Sequence, residues 1–574
     1  MKIKTLRTKD DRTITLGEFS VLVGPNNVGK SQTLRDIYLR LASGRNARTT
    51  IITNVEIQKP NDFEELLAGL KVLEHPTNIG IHQIRGIQPN LTSGDTINVN
   101  IEDLSRQFQS QNDVDFILGN LSKFRVSYLD AASRLQVAQS AGSYNPHTQP
   151  PQNLLQGLFG ADSDEEFRLR DVFKRTFDMD IRLDYSGMTQ LVLRLAKEFP
   201  DIPGDPRKAY PFFSRFPRLD EQGDGFRSFV GVVLSLLLSE GRIVLLDEPE
   251  AFLHPAQARQ LGFWIAEYSR HSPGQILIAT HNANFLAGIL SSEQPVDIYR
   301  LNRQGARTKY TLISSEATSK LAKSPLLSSQ RVLESIFYKG VAVCEADADR
   351  AVYQTVAVRD LEEQEVLFLH AHNKQTIHRV VSLLKSASIP VCAIVDIDIL
   401  NSSTDLDQAL RSLGNSPDID QILELRQAIA REVEGEDEEK TLKDLTQRTS
   451  EFLAQLNRNE HTLSGARGAL NRLRRESSKW RSLKKDGIEG ASTEIKPKVE
   501  ELLDLSKKSG LFILPVGELE SWLDLRTRQK NRWIVLALEK LHAESAPTNL
   551  KQFLKEMLAF LESKAANNDM NTGG

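Results

Sequence analysis

The segment Gly24-Pro25-Asn26-Asn27-Val28-Gly29-Lys30-Ser31 constrains this chain most, because it fits G-x-x-x-x-G-K-[ST]. The apolar run Phe-Ser-Val-Leu-Val at 19–23 precedes it and reads as a buried strand, and a helical pattern follows. A strand, a Gly-rich turn and a helix start bring backbone N–H groups together where phosphate binds. Gly24, Asn26, Asn27 and Gly29 would shape that cradle. Lys30 would reach the β- and γ-phosphates, Ser31 would hold Mg²⁺, and Gln32 completes the cofactor-binding set.

Two further apolar runs carry polar ends. Residues 242–246 read as a strand leading into Asp247-Glu248-Pro249-Glu250. An acid at that place supplies the second magnesium contact, here Asp247. Glu248 would lie next to the γ-phosphate and polarise the attacking water. Residues 275–279 read as a third strand, ending in Thr280-His281-Asn282. His281 would sense the γ-phosphate; the alternative is a capping histidine. Residues 226–238 read as an apolar helix. The stretch from about 45 to 200 is polar and irregular and reads as insertions on this scaffold.

Composition narrows the class. Lys and Arg total 72 against 76 Asp and Glu, so the net charge is −4 and a wholly basic nucleic-acid coat is excluded. The two cysteines, Cys344 and Cys392, exclude a disulfide scaffold and a cysteine zinc site. The longest near-apolar run, Val230 to Leu238, is too short to span a bilayer, and Met1-Lys2-Ile3-Lys4-Thr5 lacks the apolar stretch of a signal peptide. A cytoplasmic protein without a membrane partner is expected.

Near Ser314 to Ser329 the composition turns to Ser, Ala and Lys, and a second α/β pattern begins. The predicted division is 1–325 and 335–574. Tyr338 to Cys344, Ile389 to Val395 and Leu511 to Leu514 read as strands. Each is followed by acids: Glu345 and Asp349; Asp396 and Asp398; Glu518 and Glu520. In a parallel sheet the strand C-termini share one edge, where sites form. Carboxylates gathered there without Cys or His suit Mg²⁺ or Mn²⁺, which take oxygen ligands. Residues 403–508 interrupt this pattern with a charged, helical stretch. Leu442, Leu445, Thr449, Phe452 and Leu456 are spaced 3-4-3-4, and the register runs on to Leu473 as a coiled-coil or helix-hairpin seam.

The order of the first motifs resembles ABC-type ATPases of the SMC-like group over the first ~320 residues. That resemblance implies ATP sandwiched between two ATPase domains, hence at least a dimer. It also assigns Gly223 to Ser228 as the signature segment, although the family's is Ser-Gly-Gly-rich. Gly225 and Ser228 would then contact the γ-phosphate bound by a second subunit. The second half resembles a Toprim domain, whose pattern is a Glu, an Asp four residues on, then Asp-x-Asp. Glu345, Asp349, Asp396 and Asp398 match it, and Ala346 stands where the family carries Gly.

The pair resembles the OLD (overcoming lysogenization defect) family of ATP-dependent nucleases, with relatives in anti-phage systems of Gabija-like and retron-associated type. The family's Gly-x-Leu-Glu motif matches Gly517 to Glu520. It implies a catalytic lysine beyond that motif, with Lys530 preferred over Lys540 and Lys551. The expected fold is an α/β ABC-type P-loop ATPase domain followed by a Toprim α/β domain with a helical insertion. The expected activity is ATP-regulated, metal-dependent cutting of DNA, with Glu345, Asp396 and Asp398 holding the metals and Asp349 and Glu520 completing their shells. A Toprim RNase, and an ATP-dependent sensor with a non-catalytic Toprim scaffold, remain open. A defence-system partner protein is a further expectation. The basic stripe at 467–485, with Trp480 in its midst, is a possible nucleic-acid face, a solvated helix face, or a partner for the acidic run Glu432 to Glu439.

Overall fold

A computed structural model of the chain describes residues 1–567 apart from 44–46, 68–69, 87–94, 110–120, 122–123, 148, 150, 152, 162, 239–240, 306, 324–329, 372, 436–437, 458–461, 464, 468–479, 526 and 528. The chain divides into two compact units, Met1–Phe337 and Tyr338–Gly574. Each is built on a parallel sheet, and the strands of these two sheets are numbered β1 to β10.

The first unit contains β1 (Phe19–Val23), β2 (Val126–Leu129), β3 (Ile243–Asp247), β4 (Gln275–Ala279), β5 (Asp297–Gln304) and β6 (Arg307–Ile313). Their order is β6-β5-β1-β4-β3-β2. All neighbours run parallel except the β5–β6 hairpin. Every residue of β1 and β4 is buried, because a parallel sheet is covered on both faces and needs near-continuous apolar strands. The helix Lys30–Ser43 buries Leu34, Ile37 and Leu41, spaced 3 and 4, on this sheet. The apolar helix lies at Asp224–Leu237.

The stretch read as irregular is more ordered than expected. It supplies β2, which pairs with β3, and two small antiparallel sheets. One comprises Lys71–Glu74, His82–Gly86 and Asp95–Val99. The other comprises Asp180–Asp184, Gln190–Ala196 and Ala141–Gly142. A four-residue strand inside polar surroundings carries no periodicity of its own; the partner edge of β3 makes it a strand.

The second unit holds β7 (Gly340–Cys344), β8 (Val366–His370), β9 (Val391–Val395) and β10 (Leu511–Ile513), ordered β8-β7-β9-β10 and all parallel. Cys344 and Cys392 are buried free thiols on adjacent strands. The C-terminal helices Lys530–Ala543 and Thr548–Asn567 pack Trp533, Leu554 and Met557 onto the same core. Between β9 and β10 the described elements are helices, from Ser403–Leu413 to Lys496–Ser509. Of the seam, Phe452 is buried, while Thr449 and Leu463 are exposed. The side chains of Leu442, Leu445, Leu470 and Leu473 lie outside the described residues. No described helix is long and apolar enough to cross a membrane.

Candidate nucleotide and acidic-edge sites

In the first unit the turn after β1 needs unusual backbone. Gly24 has φ 139°, Asn27 61° and Gly29 100°. A Cβ on Gly24 would lie 2.3 Å from the Leu301 carbonyl oxygen, so the turn packs directly on β5 and only glycine fits. Lys30 is buried and its Nζ donates to the carbonyls of Gly24 (2.8 Å) and Pro25 (2.7 Å). Burial pulls its ammonium down to about 8, against the opposing pull of Glu248, Asp247 and Glu250.

Ser31 Oγ donates to Asp247 Oδ1 at 2.9 Å, so the two groups expected to share a magnesium ion already meet. The Tyr128 hydroxyl, at the end of β2, donates to Asp247 Oδ2 at 3.3 Å. Glu248 sits at φ 49° in the left-handed region and its Oε1 lies 2.8 Å from His281 Nδ1. The hydrogen bond to His281 holds the Glu248 carboxyl below its usual value and raises the imidazole. Asn282, not His281, caps the helix Ala283–Ser291, its Oδ1 accepting from Asn284 N and Phe285 N. Glu250 is buried beneath this pair and accepts from Thr280 Oγ1 at 2.6 Å; burial pushes its carboxyl up to about 7.

The structure also places Ser228, Gly225 and Gln32. Ser228 is fully buried and accepts from Arg134 Nε at 3.2 Å, so it lies beneath the site instead of facing a second subunit. Gly225 stands in the first turn of Asp224–Leu237, where a Cβ would lie 2.9 Å from the Phe252 carbonyl oxygen. Gln32 lines the cavity, but its Nε2 donates to Asp36 Oδ1 at 2.8 Å.

Two groups were not legible in the sequence. Arg134 is fully buried; its Nη1 donates to the Asp247 carbonyl (2.6 Å) and its Nη2 to the Glu248 carbonyl (2.9 Å). Asp36, also fully buried, accepts the backbone N–H of Thr50, Ile51 and Ile52 and so pins the chain beside the cavity. Asp36→Ala strands those donors. It is expected to destabilise the protein by about 3 kcal/mol, read by chemical denaturation.

In the second unit the acids follow β7, β9 and β10 on the shared C-terminal edge. Glu345 Oε1 accepts the Asp396 N–H at 3.0 Å, tying the first two turns together. The Ile397 N–H donates to the Gly517 carbonyl at 3.0 Å, tying the second to the third. Burial, then the nearby Asp398 and Asp349 charges, push the Glu345 carboxyl up to about 7. Asp349 Oδ2 accepts from Ala346 N at 2.8 Å, which fixes the turn at the position where the family carries Gly. Glu520 is buried, and its Oε2 has no hydrogen-bond partner among the described residues. Asp398 is held from both sides: Lys374 Nζ lies 3.3 Å from Oδ1 and Lys484 Nζ 2.7 Å from Oδ2. These contacts hold its carboxyl below the usual range despite burial.

Crowded carboxylates and a buried unpartnered oxygen fit a hard divalent cation. Among the described residues, however, no three of His, Cys, Asp and Glu are already gathered into a cage. Lys530 opens the helix Lys530–Ala543, and its side chain lies outside the described residues. Trp480 is buried with the Arg426 guanidinium 5.8 Å from its ring, so it is not available to stack on a base. Most of the basic stripe around it, 468–479, lies outside the described residues.

Comparison with known proteins places a match in each unit. Residues 194–287 match the family model described as "AAA domain, putative AbiEii toxin, Type IV TA system". Residues 336–398 match "Overcoming lysogenization defect protein-like, TOPRIM domain". No curated protein matches the chain. Among solved structures, the SMC head domain from Thermotoga maritima is 16% identical, with 55% of this chain and 100% of that chain covered at a TM-score of 0.28. An SMC head bound to the C-winged helix domain of ScpA is 14% identical, with 56% and 100% covered at 0.34. A Smc head with an extended coiled coil, bound to the C-terminal domain of ScpA derived from Pyrococcus furiosus, is 12% identical, with 56% and 98% covered at 0.30. The chain thus joins, in one polypeptide, a segment similar to an AAA-type ATPase domain and a segment similar to an OLD-like Toprim domain.

Proposed function

We propose that this protein is an ATP-regulated, divalent-metal-dependent endonuclease that cuts DNA phosphodiester bonds and serves in defence against phage. The observation that carries the nuclease reading is the acidic edge. Three consecutive turns at the C-termini of β7, β9 and β10 bring Glu345, Asp396, Asp398 and Glu520 to one side of one sheet. Glu345, Asp396 and Asp398 would hold Mg²⁺ or Mn²⁺, with Asp349 and Glu520 completing the shells. Bound there, the metal would polarise the phosphate and activate water. The Asp396 N–H orients Glu345, and Lys374 and Lys484 offset the charge of Asp398.

In the ATPase unit, Lys30 exchanges the carbonyls of Gly24 and Pro25 for the β- and γ-phosphates. Glu248, oriented by His281, accepts the proton of the attacking water. ATP would engage a second copy of the chain, making at least a dimer, and its binding or hydrolysis would gate cutting. Glu248→Gln is expected to lower ATP turnover about 100-fold or more while ATP binding persists. Turnover and binding lost together would count against this assignment.

The defining experiment is plasmid nicking with Mg²⁺ or Mn²⁺, with and without ATP, comparing wild type with Glu345→Gln. Cutting by wild type alone supports the reading, and the nucleotide effect gives the direction of gating. No cutting by either protein overturns the DNA reading; cleavage of tRNA would then establish an RNase.

A further inference from the structure

The nucleotide cavity of the first unit, about 720 Å³, has two chemically distinct ends. The order of the main sheet separates them. On one flank of β1 stand β4 and β3, which carry His281 and Glu248 and mark the γ-phosphate end. On the other flank stands the β5–β6 hairpin, whose Arg303, Arg307 and Thr308 line the cavity. Three hydrogen bonds fasten the hairpin to the phosphate cradle and its helix. Thr308 Oγ1 donates to the Val28 carbonyl (2.9 Å), Arg303 Nη1 donates to the Asn27 carbonyl (3.2 Å), and the Tyr310 hydroxyl meets Thr33 Oγ1 (2.5 Å).

A nucleoside triphosphate laid along this cavity puts its base at the hairpin end. A base gains from a planar partner, and among the described residues no lining side chain is aromatic, while Val28 and Ile51 are the apolar ones. Ile51 is set in place by the bond from its N–H to Asp36, and its Cδ1 lies 2.5 Å from where a Gly29 Cβ would stand. The broadest planar groups of the described lining are the guanidinium groups of Arg303 and Arg307, which stack on base faces. Arg303 is already committed to Asn27 and to the Gly305 carbonyl (3.1 Å). Arg307 is exposed.

We propose that Arg307, together with Ile51, forms the nucleobase subsite of this ATPase, and that Arg303 holds the hairpin that presents it; this rests on the reading of the cavity as an ATP site. Every base offers a π-face, so the subsite binds adenine and guanine with little preference.

The test titrates the full chain with AMP-PNP, GMP-PNP and inorganic tripolyphosphate in the presence of Mg²⁺. Wild type is expected to bind the two nucleotides within about threefold of each other. Arg307→Ala is expected to weaken both about tenfold and to leave tripolyphosphate within about twofold. Arg307→Lys keeps the charge without the plane and is expected to behave like Arg307→Ala. An equal loss for tripolyphosphate would make Arg307 a phosphate contact and overturn the proposal. So would unchanged nucleotide affinity, or rescue by lysine. Wild type binding neither nucleotide nor tripolyphosphate would instead overturn the ATP reading, and this proposal with it.

Discussion

Glu345→Gln is expected to reduce metal-dependent strand cutting by about 1000-fold or more, with ATP binding retained. The substitution keeps the volume of the side chain, and its amide oxygen can still accept the Asp396 N–H that Glu345 Oε1 accepts at 3.0 Å. What disappears is one negative charge at the centre of the acidic edge. Preorganised charge at a phosphoryl centre is the largest single contribution to such chemistry, and removing one element of it commonly lowers rates by ~10²–10³. Here the charge would also hold the divalent ion, so the loss is compounded.

The fold has no reason to suffer. Glu345 is pressed by burial and by the charges of Asp398 and Asp349, so a neutral group leaves stability unchanged or raises it. Parallel measurements of nicking and of the thermal transition separate the two effects. Cutting that survives Glu345→Gln in a folded protein would remove the acidic edge from the mechanism.

Arg134→Ala carries the second large effect. Arg134 is fully buried and binds the carbonyls of Asp247 and Glu248 and the hydroxyl of Ser228. Its removal leaves those acceptors without donors in a site too buried for easy hydration, a loss of about 3–5 kcal/mol. It also releases the backbone that keeps Glu248 at φ 49° with its carboxylate on His281. Turnover of ATP is therefore expected to fall about 100-fold, with nucleotide affinity changing far less, since no phosphate-cradle residue is touched. Arg134→Lys offers one point donor instead of a fork and is expected to recover only part of the stability. Wild-type turnover by a folded Arg134→Ala protein would show that the two carbonyls hold Glu248 without help.

The legible parts of this protein share one property: their signal is local. β1, β3 and β4 are apolar runs that end in a turn or a charged group within a few residues. The phosphate cradle is a contiguous eight-residue motif whose glycines answer to backbone angles at their own positions. The acidic edge was legible for a related reason. Each carboxylate follows directly on its strand, and parallel strands must present their C-termini on one side.

Groups whose meaning depends on a distant partner were not legible. Val126–Leu129 is a strand because β3 has a free edge, so the Tyr128 contact to Asp247 was invisible. Lys374 and Lys484 reach Asp398 across 24 and 86 residues of chain. Ser228 and Trp480 carry side chains that suit a surface role, and burial against Arg134 and Arg426 took that role away.

By itself, then, the sequence determined the two α/β halves, the phosphate cradle, the Asp247-Glu248 pair and the edge on which the acids gather. Contiguous motifs and strand ends are local consequences of backbone chemistry. The tertiary structure alone decided which arginine secures the Glu248 backbone, which lysines neutralise Asp398 and which hairpin closes the nucleotide cavity. Those pairings join residues far apart in the chain, where no local pattern records which charge will be buried beside which.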